Sequence, residues 1–343
     1  MANIKKLALL GFGNAGQAFA KMLIEKKDAI EERYGYHVIV TAIATNTKGN
    51  LVDSDGIDLL EALEDLEKCG KFCNQKALSK MSTMEIVDKA EYDVAIEMTP
   101  LNIFTGQPAI SHIESAFNRG KDVITANKGP IAWKYKELCQ MANDKGVKFF
   151  YETTVMDGTP VFNFVEKTLQ LAKVTEVSGI LNSTTNFILE ELAAGAAYED
   201  IMERGRQMGF VEADPSMDIE GYDAVAKITA LLNVLMDAGI TPDMVDRKGI
   251  EDIGVEDIKA AAERGNVIKL ICKGYRTEDG KVKASVQPEE VPKGDMLASI
   301  DSTTSIVSVT TDLMKKVSIV EHQPEIEQTA YGVFGDLLRV LSE

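Results

Sequence analysis

The feature that most constrains the fold is the rhythm of the first 150 residues, in which short apolar runs alternate with longer amphipathic stretches. Runs rich in Val, Ile and Ala are typical of strands buried on both faces, and the stretches between them have helical spacing. The predicted strands are Lys6–Leu10, Val38–Ala44, Asp93–Glu97, Asp122–Thr125 and Val147–Tyr151. The predicted helices include Ala15–Ile24, Pro108–Asn118 and Trp133–Asn143. Because strands alternate with helices, we expect an α/β fold with a parallel sheet covered on both faces.

After residue 150 the pattern changes to helices followed by strands. A strand at Val174–Leu181 precedes helical patterns, and later strands are predicted at Val267–Tyr275, Lys281–Gln287, Ile306–Thr310 and Lys316–Val320. The 343 residues also exceed the ~250–300 at which single cores stop growing. We therefore expect a parallel-sheet domain over 1–150 and an α+β domain with a mixed sheet over 151–327. A final helix over 328–343 is expected to return to the first domain.

The balance of charge excludes several classes of partner. Asp and Glu total 54 against 37 Lys and Arg, a formal net charge of −17. An acidic surface repels nucleic acid and anionic membranes, so neither is an expected partner. No run approaches the ~18 apolar residues of a membrane span, and no secretory signal is recognisable. The four cysteines and three histidines show no spacing typical of a zinc site. Taken together, these features lead us to expect a cytoplasmic protein that acts on a small molecule.

A glycine-rich turn follows the first predicted strand and opens the first predicted helix. Its residues fit the pattern G-x-G-x-x-G and are Gly11, Phe12, Gly13, Asn14, Ala15 and Gly16. The first glycine permits a tight turn, the second lets backbone approach a pyrophosphate, and the third lets helix pack on strand. The N–H groups and dipole of the helix N-terminus attract phosphate. The sequence therefore predicts a dinucleotide site on a Rossmann-type domain, with a purely structural glycine turn as the alternative.

The end of the second predicted strand bears on which dinucleotide binds. An acid there would bind the ribose 2′-hydroxyl and favour NAD. Here the strand continues into Thr45, Asn46, Thr47 and Lys48, and no acid occurs before Asp53. Neutral donors and a lysine suit a 2′-phosphate better, so the sequence favours NADP over NAD. An ordinary polar loop is the alternative.

A stretch of the second domain, Gly209–Lys227, places several acids before an apolar helix. Asp218 is predicted to cap the helix N-terminus, and Asp223 and Lys227 share one face at spacing i, i+4. An exposed pair of this kind contributes only about 0.3–0.5 kcal/mol. Because the helix continues as the nearly apolar Ile228–Leu235, the pair is a candidate acid/base whose pKa burial can tune. A surface ion pair is the alternative.

Several blocks together resemble the homoserine dehydrogenases, which interconvert L-homoserine and L-aspartate 4-semialdehyde with NAD(P). The stretch Gly209–Lys227 is similar to the signature of that family. Other blocks match in the same order: Val123–Lys128 resembles V-V-T-A-N-K, Glu152–Pro160 resembles E-A-x-V-x-x-G-x-P, Gly179–Asn186 resembles G-I-L-N-G-T-T-N, and Thr329–Asp336 resembles T-A-x-x-x-x-x-D. The length resembles the short form of the family, without a C-terminal regulatory domain.

The resemblance implies roles for residues of the second domain. Lys227 would be the general acid/base, passing a proton between solvent and the substrate hydroxyl. Asp223 would orient Lys227, and Glu212 would hold the substrate amino group. The substrate-binding residues implied by the resemblance are Glu212, Asp223, Gly209, Asp214 and Thr184.

The resemblance also implies contacts with the cofactor and with an ion. Lys128 would lie beside the nicotinamide, as a second proton-transfer group or an electrostatic anchor, and Thr99 and Pro100 would border the same ring. Some members hold a monovalent cation with backbone carbonyls, and the matching positions are Glu152, Val155, Asp157 and Thr159. A plain structural turn is the alternative there. The resemblance further implies a homodimer formed through the second-domain sheet.

Departures from the family pattern keep two other functions open. The usual G-x-G-A-G turn before the closing Thr-Ala is replaced, with Glu321, Gln323 and Glu325 at the glycine positions. Met156–Asp157 replaces small residues, and Ser183 replaces a glycine. The alternatives are a paralogous oxidoreductase acting on a different amino alcohol or oxo acid, and a catalytically degenerate dinucleotide-binding regulatory protein.

Overall fold

The computed structural model describes residues 3–73, 76–209, 211 and 214–342. The chain divides into two units. Met1–Pro160 and Glu325–Glu343 form the first, and Val161–Pro324 form the second. The first unit therefore runs past residue 150, where the sequence pattern changes. Among the described residues, every helix is too short or too polar to cross a bilayer.

The first unit is built on a mainly parallel sheet, which confirms the predicted fold class. Within the described residues its strands are β1 (Asn3–Leu10), β2 (Tyr36–Ala44), β3 (Asn50–Val52), β4 (Leu78–Ser79), β5 (Val94–Glu97), β6 (Asp122–Thr125) and β7 (Phe149–Phe150). They lie in the order β4-β3-β2-β1-β5-β6-β7, with β3 and β4 as an antiparallel edge. The direction of chain progression reverses between β1 and β5, and ligands of such sheets bind at this point.

The helices between these strands are α1 (Asn14–Tyr34), α2 (Leu59–Cys69), α3 (Thr83–Lys89), α4 (Ala109–Asn118) and α5 (Lys128–Lys145). Helix α1 starts one residue before the predicted Ala15–Ile24 and ends ten residues after it. Its last part is mostly charged, so the apolar spacing fades although the residues are good helix formers. Gly35 ends the helix in the left-handed conformation, with φ of +74°.

The second unit has a mixed sheet, as predicted. Its strands are β8 (Val174–Ile180), β9 (Asp246–Arg247), β10 (Asn266–Arg276), β11 (Val282–Pro292), β12 (Ser305–Thr311) and β13 (Lys315–Glu321), in the order β13-β12-β8-β10-β11-β9. Among the described strands of this second sheet, only β9 and β11 pair in parallel. The helices are α6 (Val161–Thr168), α7 (Ser183–Ala193), α8 (Tyr198–Gln207), α9 (Ser216–Ile219), α10 (Tyr222–Met236) and α11 (Val255–Glu263). Helices α7, α10 and α11 pack against the sheet.

The last helix, α12 (Ile326–Ser342), belongs to the first unit and packs on α1. Its apolar face joins the core that contains Leu7 and Leu9 of β1. The core residues from α12 are Ala330, Val333, Phe334, Leu337, Val340 and Leu341. The buried carboxylate of Asp336 accepts a hydrogen bond from the N–H of Glu152 at 2.9 Å. The helix therefore also fixes the turn that follows β7.

One glycine sets how closely α12 approaches this turn. A Cβ on Gly332 would lie 2.4 Å from Thr153 Oγ1 and 2.9 Å from the carbonyl oxygen of Asp157. Gly335, one turn later on the same helix, has open space, because a Cβ there would meet no heavy atom within 4 Å. The absence of a side chain at residue 332 is thus what allows the contact.

We predict opposite effects for alanine at these two glycines. Gly332→Ala should lower the free energy of unfolding by about 1–3 kcal/mol, because its methyl group displaces α12 from the turn. Gly335→Ala should raise it by about 0.5–1 kcal/mol, because alanine loses less backbone entropy in a helix. Urea unfolding is followed by the fluorescence of Trp133, the single tryptophan, which lies in the first unit. Equal effects of the two substitutions would contradict the close contact.

Candidate functional site

Each glycine of the turn between β1 and α1 meets a different geometric requirement. Gly11 has φ of +106°, and a Cβ there would lie 2.4 Å from the carbonyl oxygen of Met98. A Cβ on Gly16 would lie 2.9 Å from the carbonyl oxygen of Gly11, so α1 packs closely on the turn. A Cβ on Gly13 would meet nothing within 4 Å, so the backbone is open to an approaching group. These are the three requirements of a turn that binds a pyrophosphate.

The N-terminus of α1 gives this turn a positive potential. The helix begins at Asn14. Its first turn, which includes Ala15, carries no acidic side chain, and no side chain caps the helix. Its N–H groups and the helix dipole therefore favour an anion. The carbonyl oxygen of Phe12 accepts a hydrogen bond from Lys48 Nζ at 2.8 Å. That ammonium brings a further positive charge to the turn.

The loop after β2 holds Lys48 in place. The backbone N–H of Lys48 donates to Thr45 Oγ1 at 2.9 Å, and the Thr45 hydroxyl donates to the carbonyl oxygen of Gly49 at 2.7 Å. Asn46 is exposed on the same loop. The loop thus presents neutral side chains and one ammonium, with no carboxylate, close to the glycine-rich turn.

A buried carboxylate supports the loop after β5. Glu97 is fully buried at the end of this strand. It accepts hydrogen bonds from the backbone N–H of Thr99 at 3.2 Å, from the hydroxyl of the same residue, and from the Thr125 hydroxyl at 3.3 Å. Pro100 follows and is exposed. Sequence reasoning placed Glu97 only as the end of a strand, because its partners depend on how β5 and β6 pair.

Asn127 joins this loop to α5. Its amide nitrogen donates to the carbonyl oxygen of Thr99 at 3.1 Å, and its amide oxygen accepts the N–H of Gly129 at 3.0 Å as the cap of α5. Lys128 is the first residue of that helix and is half-buried. Thr99 and Lys128, both expected near the nicotinamide, are therefore positioned through one asparagine. Asn at a helix start is a signal that sequence reasoning could have used.

In the second unit, Lys227 and Asp223 form an ion pair that is largely buried. The distance from Nζ to Oδ2 is 3.1 Å, and the two side chains are 18% and 15% exposed. Lys227 Nζ also donates to the carbonyl oxygen of Leu181 at 2.8 Å, just after β8. The alternative of a surface ion pair is therefore wrong for these residues.

Asn182 gathers the carboxylates around this pair. Its buried amide nitrogen donates to Asp218 Oδ1 at 2.6 Å and to Asp223 Oδ2 at 3.0 Å. Its amide oxygen accepts the N–H of Thr185 at 2.9 Å and thereby caps α7. Sequence reasoning missed Asn182, although an asparagine between a strand and a helix is a recognised capping signal.

The prediction that Asp218 caps α10 is wrong. Helix α10 begins at Tyr222, and its cap is Gly221, which is left-handed with φ of +81°. Asp218 lies in the short α9 and directs its carboxylate to Asn182 instead. The left-handed glycine changes the direction of the chain after α9, so α10 starts later than the pattern of acids indicates.

Two acids near this helix have pKa values shifted in opposite directions. Burial, and next the charge of Asp223, raise the pKa of Asp218 above its ordinary value. The backbone N–H of Ser216 donates to the exposed Asp214 at 3.1 Å and lowers the pKa of that carboxyl. Burial raises the pKa of the Cys272 thiol to about 12, so it stays protonated. The cluster therefore holds an acid, Asp218, that binds a proton more readily than a free aspartate.

The other residues expected to bind substrate have different surroundings. Thr184 is buried at the start of α7 and forms a hydrogen bond with Asp218. Gly209 has φ of +83°, with open space where a Cβ would lie. Asp214 is exposed and is bonded to its own local turn. Glu212 lies outside the described residues.

Side-chain hydrogen bonds from the turn itself and from α12 hold the turn that is expected to bind a cation. Glu152 starts a single 3₁₀ turn. The Thr153 hydroxyl donates to the carbonyl oxygen of Asp157, and the Thr329 hydroxyl donates to the carboxylate of Asp157 at 2.5 Å. Val155 and Thr159, the other two expected positions, flank Asp157 in the chain. In the part of the chain that the structure covers, no cluster of three or more His, Cys, Asp or Glu could hold a metal ion.

Two family models match the chain. The model described as "Homoserine dehydrogenase, NAD binding domain" matches residues 11–152, and the model described as "Homoserine dehydrogenase" matches residues 160–338. Together they contain the glycine-rich turn of the first unit and the lysine–aspartate pair of the second.

Relatives and solved structures of similar length agree with this match. The homoserine dehydrogenase of Methanocaldococcus jannaschii is 37% identical over 97% of this chain and 98% of its own length. The NAD(+)-dependent homoserine dehydrogenase of Pseudomonas canavaninivorans is 32% identical over 98% of this chain and 96% of its own. A crystal structure from Archaeoglobus fulgidus, described as "Putative Homoserine Dehydrogenase", superposes with a TM-score of 0.85 at 31% identity, covering 98% of this chain and 99% of its own.

We predict that Asp218→Asn stabilises the second unit at neutral pH. Because the pKa of Asp218 is raised on folding, its stabilising effect is complete below the ordinary value of 3.8 and is lost as pH rises through the folded value. The substitution should therefore raise the free energy of unfolding at pH 7 and leave it unchanged near pH 3. Scanning calorimetry between pH 3 and 8 measures this dependence.

Asp214→Asn is the matched control, because the pKa of Asp214 is shifted the other way. Its carboxylate stabilises the fold above pH 3.8 and loses that effect as pH falls, so the variant should be less stable than the parent at pH 7. A gain from Asp218→Asn that does not depend on pH would contradict the assigned cause.

Proposed function

The chain belongs to the homoserine dehydrogenase family. We propose that it interconverts L-homoserine and L-aspartate 4-semialdehyde with Lys227 as the acid/base. Members of this family are NAD(P)-dependent oxidoreductases that act on a CH–OH group. The observation that carries the proposal is the largely buried pair of Lys227 and Asp223, held beside the carbonyl oxygen of Leu181.

The reaction requires the transfer of a hydride and of a proton. A bound nicotinamide supplies or accepts the hydride. The Lys227 ammonium donates the proton to the alkoxide as the aldehyde is reduced, and the amine takes it back as homoserine is oxidised. Asp223 holds Nζ at 3.1 Å, and Asn182 holds Asp223, so the proton donor has a fixed position. Lys128 is the second candidate for proton transfer, or an electrostatic anchor.

The same cluster suits the ammonium group of an amino-acid substrate. Asp218 and Asp223 place two carboxylates on Asn182, and Thr184 adds a hydroxyl bonded to Asp218. Carboxylates attract a substrate amine and also favour the charged form of a neighbouring lysine. We assign Asp218 to substrate binding together with the residues that the family resemblance implies, which are Glu212, Asp223, Gly209, Asp214 and Thr184.

The first unit binds NAD(P), and we propose a preference for NADP. The glycine-rich turn fits a pyrophosphate, and the adjacent loop carries the Lys48 ammonium with no acid to bind a ribose 2′-hydroxyl. The residues assigned to the cofactor are Gly11, Phe12, Gly13, Asn14, Ala15, Gly16, Thr45, Asn46, Lys48, Thr99, Pro100 and Lys128. The names of similar proteins mention both cofactors. One relative is described as NAD(+)-dependent, and a hyperthermophilic archaeal structure, 26% identical with a TM-score of 0.83, is a complex with NADPH.

The replaced glycines at 321–325 do not favour a degenerate protein. Gln323 occupies one of these positions and has φ of +46°, the left-handed conformation that glycine adopts readily. The relatives named above give no support to a different substrate or to a regulatory role. A monovalent cation at Glu152–Thr159 and a homodimer through the second sheet remain predictions that rest on the family resemblance.

We predict that Lys227→Met loses about 10²–10⁴-fold in kcat for homoserine oxidation, because the substrate hydroxyl then loses the amine that accepts its proton. Absorbance of the reduced cofactor measures the rate. The affinity of the variant for the cofactor should be unchanged. Lys273→Met is the matched control, since Lys273 is 41% exposed and pairs with Glu176 at 3.7 Å. Ordinary turnover by Lys227→Met would show that another group carries the proton.

A second substitution tests the choice of cofactor. Lys48→Met should raise KM for NADP by about tenfold or more and change KM for NAD little, because a charge-assisted bond to the 2′-phosphate is worth about 1.5–3 kcal/mol. Steady-state kinetics with both cofactors measure the ratio, and Lys71→Met, an exposed lysine on the first unit, serves as control. An equal rise for both cofactors would mean that Lys48 only supports the turn.

A further inference from the structure

The second unit contains a cavity of about 350 Å³ that the proposed reaction does not use. It lies between α7, α11 and β10 and does not include Lys227 or Asp223. Its walls are mainly apolar and include Leu189, Leu192, Val255, Ile258 and Val267. Sites for small ligands commonly have volumes of ~300–1,000 Å³ and such apolar walls.

A buried ammonium group lines this cavity. Lys269 is 5% exposed, and its Nζ donates to Asn186 Oδ1 at 2.8 Å and to the carbonyl oxygen of Ile300 at 2.5 Å. Both partners are uncharged, and an ammonium has three donors. Within the described ranges Lys269 makes no ion pair. Glu190 also lines the cavity, but its carboxylate accepts the N–H of Ser302 at 2.6 Å.

A buried charge without a counter-ion is costly, so it either loses its proton or meets an ion of opposite sign. Burial lowers the pKa of Lys269, and the charges of Glu190 and Asp301 oppose this effect. Lys259 and Lys293 also line the cavity, so its lining carries three lysines and two acids. This balance favours an anionic ligand.

We infer that the cavity binds the carboxylate of a small aliphatic compound, with the Lys269 ammonium as its counter-ion and the apolar walls around its carbon chain. The third hydrogen of the ammonium then has an acceptor, and the apolar chain leaves water. A simple carboxylic acid and an α-amino acid share this chemistry. The amine of the latter would meet the carboxylates of Glu190 and Asp301.

Calorimetric titration of the full chain, without cofactor or homoserine, tests the inference. Sodium hexanoate at pH 7 should bind with an affinity at least tenfold higher than hexan-1-ol, and hexylamine should not bind. L-Norleucine distinguishes the two sources, because binding tighter than hexanoate identifies an amino acid and weaker binding a simple acid. Lys269→Met should lose hexanoate binding by tenfold or more.

A second pair of variants keeps the test decisive even where Lys269→Met does not fold. Ala193 is exposed and lines the cavity, whereas Ala194 is exposed and does not. Ala193→Phe should abolish hexanoate binding, and Ala194→Phe should leave it unchanged. The inference is overturned if hexanoate fails to bind the parent, if hexanol binds equally well, or if Ala193→Phe or folded Lys269→Met retains full affinity. None of these measurements depends on dehydrogenase activity.

Discussion

The proposed chemistry depends on one amide side chain, that of Asn182. Its nitrogen holds Asp218 and Asp223 together, and its oxygen caps α7. Two carboxylates so close would repel each other, and a shared donor offsets that repulsion while leaving Asp223 in contact with Lys227. The position of the proton donor therefore depends on a neutral residue that takes no part in the reaction itself.

Features set by neighbouring residues were predictable from the sequence. Continuous apolar strands and glycines at fixed spacing depend on local sterics, so the parallel sheet and the turn at Gly11–Gly16 could be read directly. The pairing of Asp223 with Lys227 is also local, because residues four apart share a helix face. The family resemblance added roles for these residues that no local rule supplies.

Contacts between distant residues could not be predicted in this way. Asn182 meets Asp218 and Asp223 from 36 and 41 positions away, and Lys48 meets Phe12 from 36 positions away. Such contacts depend on strand order and register, which alternation alone does not specify. The pattern of acids predicts Asp218 as the cap of α10, but the chain changes direction at Gly221, and a left-handed glycine leaves no apolar pattern.

The return of α12 to the first unit has a consequence for the order in which the protein folds during synthesis. The second unit is one continuous segment, Val161–Pro324, and its whole sequence leaves the ribosome before α12 does. The first unit begins earlier but stays incomplete, with the α1 surface that α12 covers exposed to water. Because exposed apolar surface favours aggregation, the part of the chain that is made first is vulnerable the longest.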